Sequence, residues 1–135
     1  MPSQAATRLG DNVVGVDTHV VLVPSPSGST PTPLPHTFSG TITSGTVDSV
    51  IIAGRPAAVV GSVATNSEPH KPTPPGTSFV RTPANRGTVS SGSASVLAAG
   101  KALARVGDRV RSCNDPVDLE SSAIEGGAPS VVAGD

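Results

Sequence analysis

Two stretches of the chain are copies of one pattern, and a third copy is divided between its two ends. SGTVDSVIIAGRPAAVVGS (residues 44–62) and SGSASVLAAGKALARVGD (residues 91–108) share small residues, Ser-Val, two apolar residues and Ala-Gly. A short link and a second apolar run follow, closing on Gly with Ser or Asp. The Ala-Gly glycine and the closing glycine are seven residues apart in both, Gly54 to Gly61 and Gly100 to Gly107. Two apolar runs around a Gly-containing link describe a β-hairpin. The tail GAPSVVAGD supplies the first strand of a further copy, and the head AATRLGD supplies the second. A chain whose last strand pairs with its first loses the open edges that template aggregation.

This repetition predicts an all-β fold, one small domain over residues 1–135, with three hairpin repeats around a pseudo-threefold axis. Residues 91–108 are rich in Ala, Leu, Lys and Arg, which favours helix on propensity alone. The aligned copy is β-branched and carries Pro56 after its turn, so both are read as strands. Alternation along the second strands places Leu9, Val60 and Val106 toward the axis and Arg8, Val59 and Arg105 outward. Between the copies lie VPSPSGSTPTPLPHTFSG and NSEPHKPTPPGTSFVRTPANRG, read as Pro-rich loops because Pro suits extended, weakly paired segments.

The core materials are thin. The chain has no Trp or Tyr and two Phe, Phe38 and Phe79, among 15 Gly and 14 Pro. A small domain so built needs a staple. Its one cysteine, Cys113, excludes an internal disulfide, which leaves a metal or a partner surface.

The rarest polar residues fall in register with the repeats. His19 lies nine residues beyond closing Gly10, His70 nine beyond Gly61, and Cys113 six beyond Gly107. Each second strand thus delivers one nitrogen or sulfur donor to the same end, and His36 from the first Pro-rich segment makes four. Zinc takes four tetrahedral N and S ligands, and a site filled by protein is closed and structural. Taken singly, each His reads as a solvated or hydrogen-bonded loop residue, and Cys113 as an inert thiol or a nucleophile. A nucleophile needs an activating base and an open cleft.

Other functions find little support. Lys and Arg number 9 against 10 Asp and Glu, so phosphate neutralisation offers no grip on nucleic acid. The glycines lack the Lys and spacing of a phosphate loop. Asp11 and Asp108 sit beside Gly at repeat ends, where turn roles account for them. No run approaches the roughly 20 apolar residues of a membrane-spanning helix. The head lacks a charged start and an apolar stretch, so the chain is expected to be made in the cytoplasm without a signal peptide.

Together AATRLGD, AGRPAAVVGS, AGKALARVGD, PTPLPHTFSG and VRSC resemble the PAAR-repeat proteins, over almost the whole chain. These form the tip of type VI secretion spikes and related phage tail-like contractile injection systems. The resemblance implies a non-enzymatic β cone whose apex holds one structural zinc through three His and one Cys, here His19, His36, His70 and Cys113. Its base would cap a trimeric VgrG-type spike, one tip per trimer, sharpening it for membrane penetration. It further implies effector cargo as a partner, transient contact with the target membrane, no nucleic acid, and delivery out of the producing cell with the particle. Thr37 departs from the Pro that often follows the loop His in related chains. The competing readings are a free-standing zinc-stabilised β binding module or effector adaptor, and a hydrolase built on Cys113 with His70 or His36.

Overall fold

A computed structural model describes residues 3–134 of the chain. In chain order its strands are β1 (Gln4–Ala6), β2 (Asn12–Ser25), β3 (Gly28–Ser44), β4 (Val47–Ile52), β5 (Arg55–Ala57), β6 (Val63–Asn66), β7 (Ser78–Phe79), β8 (Arg86–Val89), β9 (Leu97–Ala98), β10 (Lys101–Ala102), β11 (Arg109–Ser112), β12 (Leu119–Ile124) and β13 (Ala128–Ala133). No helix occurs among the described residues.

Six strands close on themselves. The order β12-β11-β8-β6-β3-β2 returns through a β12–β2 ladder, and β7 adds to the far end of β2. Val13, Phe38, Ile42, Ala64, Val89, Val110 and Ile124 fill the interior of this closed sheet. Closure leaves few free edges, and alternation along β2 turns Val13, Asp17, His19 and Val21 inward, each at most 1 % exposed.

Beneath it stand three two-stranded ladders, β4 with β5, β9 with β10, and β1 with β13. The last strand does pair with the first: Gln4 faces Ala133 and Ala5 faces Val132. In the two complete hairpins Ala53 and Ala99 have φ of 46° and 50°, and Gly54 and Gly100 follow at 86° and 79°. Two successive positive φ angles are the two-residue turn whose twist matches a hairpin, and glycine adopts the second without strain. Burial aligns the copies on Ser-Val: Ile52, Ala98 and Ala133 are each 5 % exposed or less. Ala133 therefore stands where the complete hairpins carry their last buried strand residue, one position before the turn. Asp135, the final residue of the divided copy, lies outside the described residues.

The three copies meet in a cycle of backbone hydrogen bonds. The Thr7 amide donates to Ala104, Ala104 to Ala58, and Ala58 to Thr7, all at 2.9 Å. A further set of 2.9 Å bonds runs from Leu9 to Pro56, Val60 to Ala102 and Val106 to Ala5. Each second strand then turns in the same way. Asp11 accepts the Arg8 amide at 2.8 Å and grips its guanidinium at 3.0 and 3.1 Å. Asp108 does the same for Arg105. In the third copy the Ser62 hydroxyl accepts the Val59 amide at 3.0 Å and donates to Gly45.

Three expectations are corrected. Val59 does not face outward: it is fully buried, bridged to Leu103, because it has no guanidinium to pair with a carboxylate at its turn as Arg8 and Arg105 do. The innermost positions are Thr7, Ala58 and Ala104, while Leu9, Val60 and Val106 are only half-buried. The first Pro-rich segment, moreover, is not a loop but most of the longest ladder, with β2 and β3 paired from Asn12–Thr41 out to Ser25–Gly28. Pro31, Pro33 and Pro35 alternate on β3, so the amides they lack would all have pointed away from β2. The second Pro-rich segment carries little strand beyond β7.

Candidate metal centre

β2 carries Asp17 and His19, two residues apart and therefore on one face. Asp17 is fully buried and His19 is 1 % exposed. His36 stands opposite Asp17 on β3. His70 follows β6 in the second Pro-rich segment, where the Asn85 side chain accepts its amide at 2.8 Å. Cys113 directly follows β11, and its amide donates to Arg86 at 3.2 Å.

These segments bring the three imidazoles and the thiol together. Ring centroids are 5.0 Å apart for His19 and His70, 5.4 Å for His19 and His36, and 5.6 Å for His36 and His70. Both phenylalanines of the chain border the cluster. Phe79 lies 5.9 Å from His19 and 5.3 Å from His36, and Phe38 lies 6.3 Å from His70. The few large apolar groups available thus dry this end of the molecule.

The donor atoms that converge belong to Asp17, His19, His70 and Cys113, all within 4.8 Å of one another. Asp17 was not among the residues singled out by sequence; its signal is the Asp-Thr-His spacing, which places both side chains on one face of a strand. Its Oδ2 accepts from His70 Nε2 at 2.8 Å and from the Cys113 thiol at 3.4 Å. Its Oδ1 accepts from Ser112 at 2.5 Å and Ser121 at 3.1 Å. Burial opposes the charge on Asp17, but bonds from His70, Ser112 and Cys113 prevail and hold the carboxyl below its usual range. Burial and the neighbouring Asp17 charge push the Cys113 thiol up to about 11. His19 and His36 are held below the usual imidazole range by burial, with His70 adding repulsion.

His36 sits in the ring cluster with both nitrogens engaged. Nδ1 donates to the Leu34 carbonyl at 2.9 Å, and Nε2 accepts the Thr73 amide at 3.1 Å. His19 is the opposite case. Neither of its ring nitrogens has a hydrogen-bond partner, and they are the buried side-chain polar atoms so placed among the described residues. Its Nδ1 lies 3.5 Å from Oδ2 of Asp115, which is itself fixed by the Val20 amide and by Arg81.

Orphaned polar atoms in a dry site cost about 1–3 kcal/mol each unless a ligand claims them. An imidazole without a partner, beside a second imidazole, a thiol and a carboxylate, is the donor set that suits a borderline dication. The residues therefore fit a metal. Two open pockets flank them, about 500 Å³ beside His36 and His70 and about 440 Å³ beside His19 and Cys113. Comparison with protein-family models, with curated proteins and with solved structures gave no match for this chain.

Proposed function

We propose that this chain is the zinc-bearing tip of a contractile injection spike, a structural part that caps a trimeric VgrG-type protein and sharpens it for penetration. The observation that carries this reading is a recurrence at the base. Each Ser-Val pair is followed by one exposed apolar side chain, Ile51 at 58 %, Leu97 at 61 % and Val132 at 59 %. Singly exposed apolar residues are ordinary. Three at matching places on three ladders, joined by a cycle of backbone bonds, suit a partner that presents one surface three times. The pseudo-threefold reading of the fold rests on that same recurrence.

The distance between the ladders and the donor cluster suits a point. β2 leaves the ring at Asp11 and reaches His19 eight residues on, about 25 Å of extended strand. Zinc there would be held by His19, His70 and Cys113, with His36 as the fourth ligand by resemblance and Asp17 by placement. A site filled by four protein donors stabilises and does not catalyse, and binding an ion to a preformed site adds directly to folding free energy. In this role the particle carries the chain out of the producing cell, and contact with the target membrane is transient.

Mass measurement of a complex reconstituted with a trimeric spike protein tests the reading. One copy of this chain per three spike chains is expected. A one-to-one ratio, or docking through the His36 and His70 segments, overturns it.

A further inference from the structure

We infer that Asp115 is a positioning residue for the metal: it fixes the proton of His19 on Nδ1 and so leaves Nε2 as the nitrogen that binds the ion. The inference rests on the metal-bearing reading above. It leaves the three imidazoles and one thiolate of the family resemblance unchanged and names the group that aims one of them.

The first argument is the proton. A neutral imidazole has one N–H and one lone pair, and what faces each nitrogen decides which is which. His19 is 1 % exposed, and its Nδ1 lies 3.5 Å from Asp115 Oδ2. A carboxylate oxygen repels a lone pair and attracts an N–H, so the proton belongs on Nδ1. The gap is about half an ångström longer than an ordinary N–H···O bond, which a small rotation of the ring closes. Nε2 then carries the lone pair, buried and without a protein partner.

The second argument is the fixed placement of Asp115. Its Oδ2 accepts the Val20 amide at 2.9 Å, its Oδ1 pairs with Arg81 at 2.6 Å, and its own amide donates to the Thr18 carbonyl at 2.7 Å. The Thr18 amide in turn donates to the Asn114 side chain at 2.6 Å. Residues 114–115 are thus bonded to β2 on both sides of His19. The carboxylate is held beside the imidazole and is not one of the four groups whose donor atoms converge. A nearly buried carboxylate needs a compensating charge, and Arg81 supplies it, so Asp115 has no need of the ion for that purpose.

The third argument is linkage. Cys113 and Asp115 are two residues apart in one segment. The backbone that delivers the thiol to the cluster therefore also sets the carboxylate against His19, and one segment governs two of the donors. Carboxylates that hold a metal-bound imidazole by its other nitrogen typically change metal affinity by about 10–100-fold.

Long-range proton–nitrogen NMR of protein carrying isotopically labelled histidine reads which nitrogen of each imidazole holds the proton. In zinc-free wild type His19 is expected in the Nδ1–H form, and zinc loading should shift its Nε2. A proton on Nε2, or metal bound through Nδ1, overturns the inference and leaves the metal reading intact. Protein that takes up no zinc overturns both. The second measurement is zinc competition against a chelating dye. Asp115→Ala should lower affinity by about 10–100-fold and let zinc-free His19 populate both tautomers. Arg81→Gln removes the ion pair and the bond to the Asn114 carbonyl but leaves the carboxylate beside Nδ1. It should cost less than about 10-fold and keep a single tautomer. Equal losses in the two variants, with the tautomer unchanged in both, would make Asp115 a structural residue only and overturn the inference. If Asp115→Ala fails to fold, the tautomer of the wild type decides alone.

Discussion

If the base docks on a threefold partner, Ile51, Leu97 and Val132 must matter equally. Burying an apolar side chain completely contributes about 1.5–3 kcal/mol. With 58, 61 and 59 % of these side chains still exposed, docking has somewhat over half of that left to gain at each. Each position is then worth about 1–2 kcal/mol, and the three together about 3–5 kcal/mol. Ile51→Ser, Leu97→Ser and Val132→Ser should each weaken binding to a purified trimeric VgrG-type spike by about 5–30-fold. Val132 should fall at the low end because it is the smallest. The triple variant should lose about 100-fold or more, less than strict additivity gives if the sites share an interface. Titration calorimetry or surface-immobilised spike reads these constants, and circular dichroism should show unchanged melting because exposed positions seldom shift stability by more than about 0.5 kcal/mol. Rotation of a symmetric trimer by one third exchanges the three contacts. One substitution that abolishes binding while the other two leave it unchanged would therefore refute the reasoning.

Three further outcomes are expected. Ser62→Ala leaves the buried Val59 amide without its acceptor and Gly45 without its donor, so stability should fall by about 1–3 kcal/mol, seen as a melting point several degrees lower. Deletion from Pro129 onward removes most of β13 and opens the edge of β1; the shortened protein should aggregate in light scattering where the intact one does not. Because the Cys113 thiol is pushed up to about 11, it is protonated at neutral pH, and zinc binding must displace that proton. Calorimetry in two buffers of different ionisation enthalpy should report about one proton released per zinc, and Cys113→Ser should remove that release.

What could be read from sequence was what the backbone demands locally. The hairpins were legible because their Ala-Gly turns need positive φ twice in succession, at Ala53 and Gly54 and again at Ala99 and Gly100. Closure was legible because Arg-Leu-Gly-Asp at the head repeats Arg-Val-Gly-Asp at 105–108, and both fold into the same carboxylate-capped turn. The donor cluster showed itself through scarcity: three His and one Cys are few enough for spacing to speak.

The rest depended on neighbours that no local pattern names. Proline reads as a loop former until its place at a sheet edge is known, and at Pro31, Pro33 and Pro35 the missing amides face no partner strand. Asp17 counted as one acid among scattered acids, although it shares a strand face with His19; its meaning came only when Ser112, Cys113 and His70 closed around it. Val59 broke the alternation because the Ser62 turn needs no charged partner, which freed that position to enter the core.

The pairing of β1 with β13 also sets an order of events during synthesis. Residues 4–6 leave the ribosome well over a hundred residues before the strand they pair with, residues 128–133. The Thr7 amide must likewise wait for Ala104. The long β2–β3 hairpin can form early, since its contacts are close in sequence, whereas the ring beneath it cannot close until nearly the whole chain is out. Folds dominated by distant pairings assemble slowly, because loop closure opposes them before contacts reward it. While the ring is open, the edge of β1 and the apolar residues of its neighbours face solvent unpaired. A nascent chain of this kind needs to be kept apart from its copies on the same message, and its yield should depend on how quickly residues 128–133 follow β1.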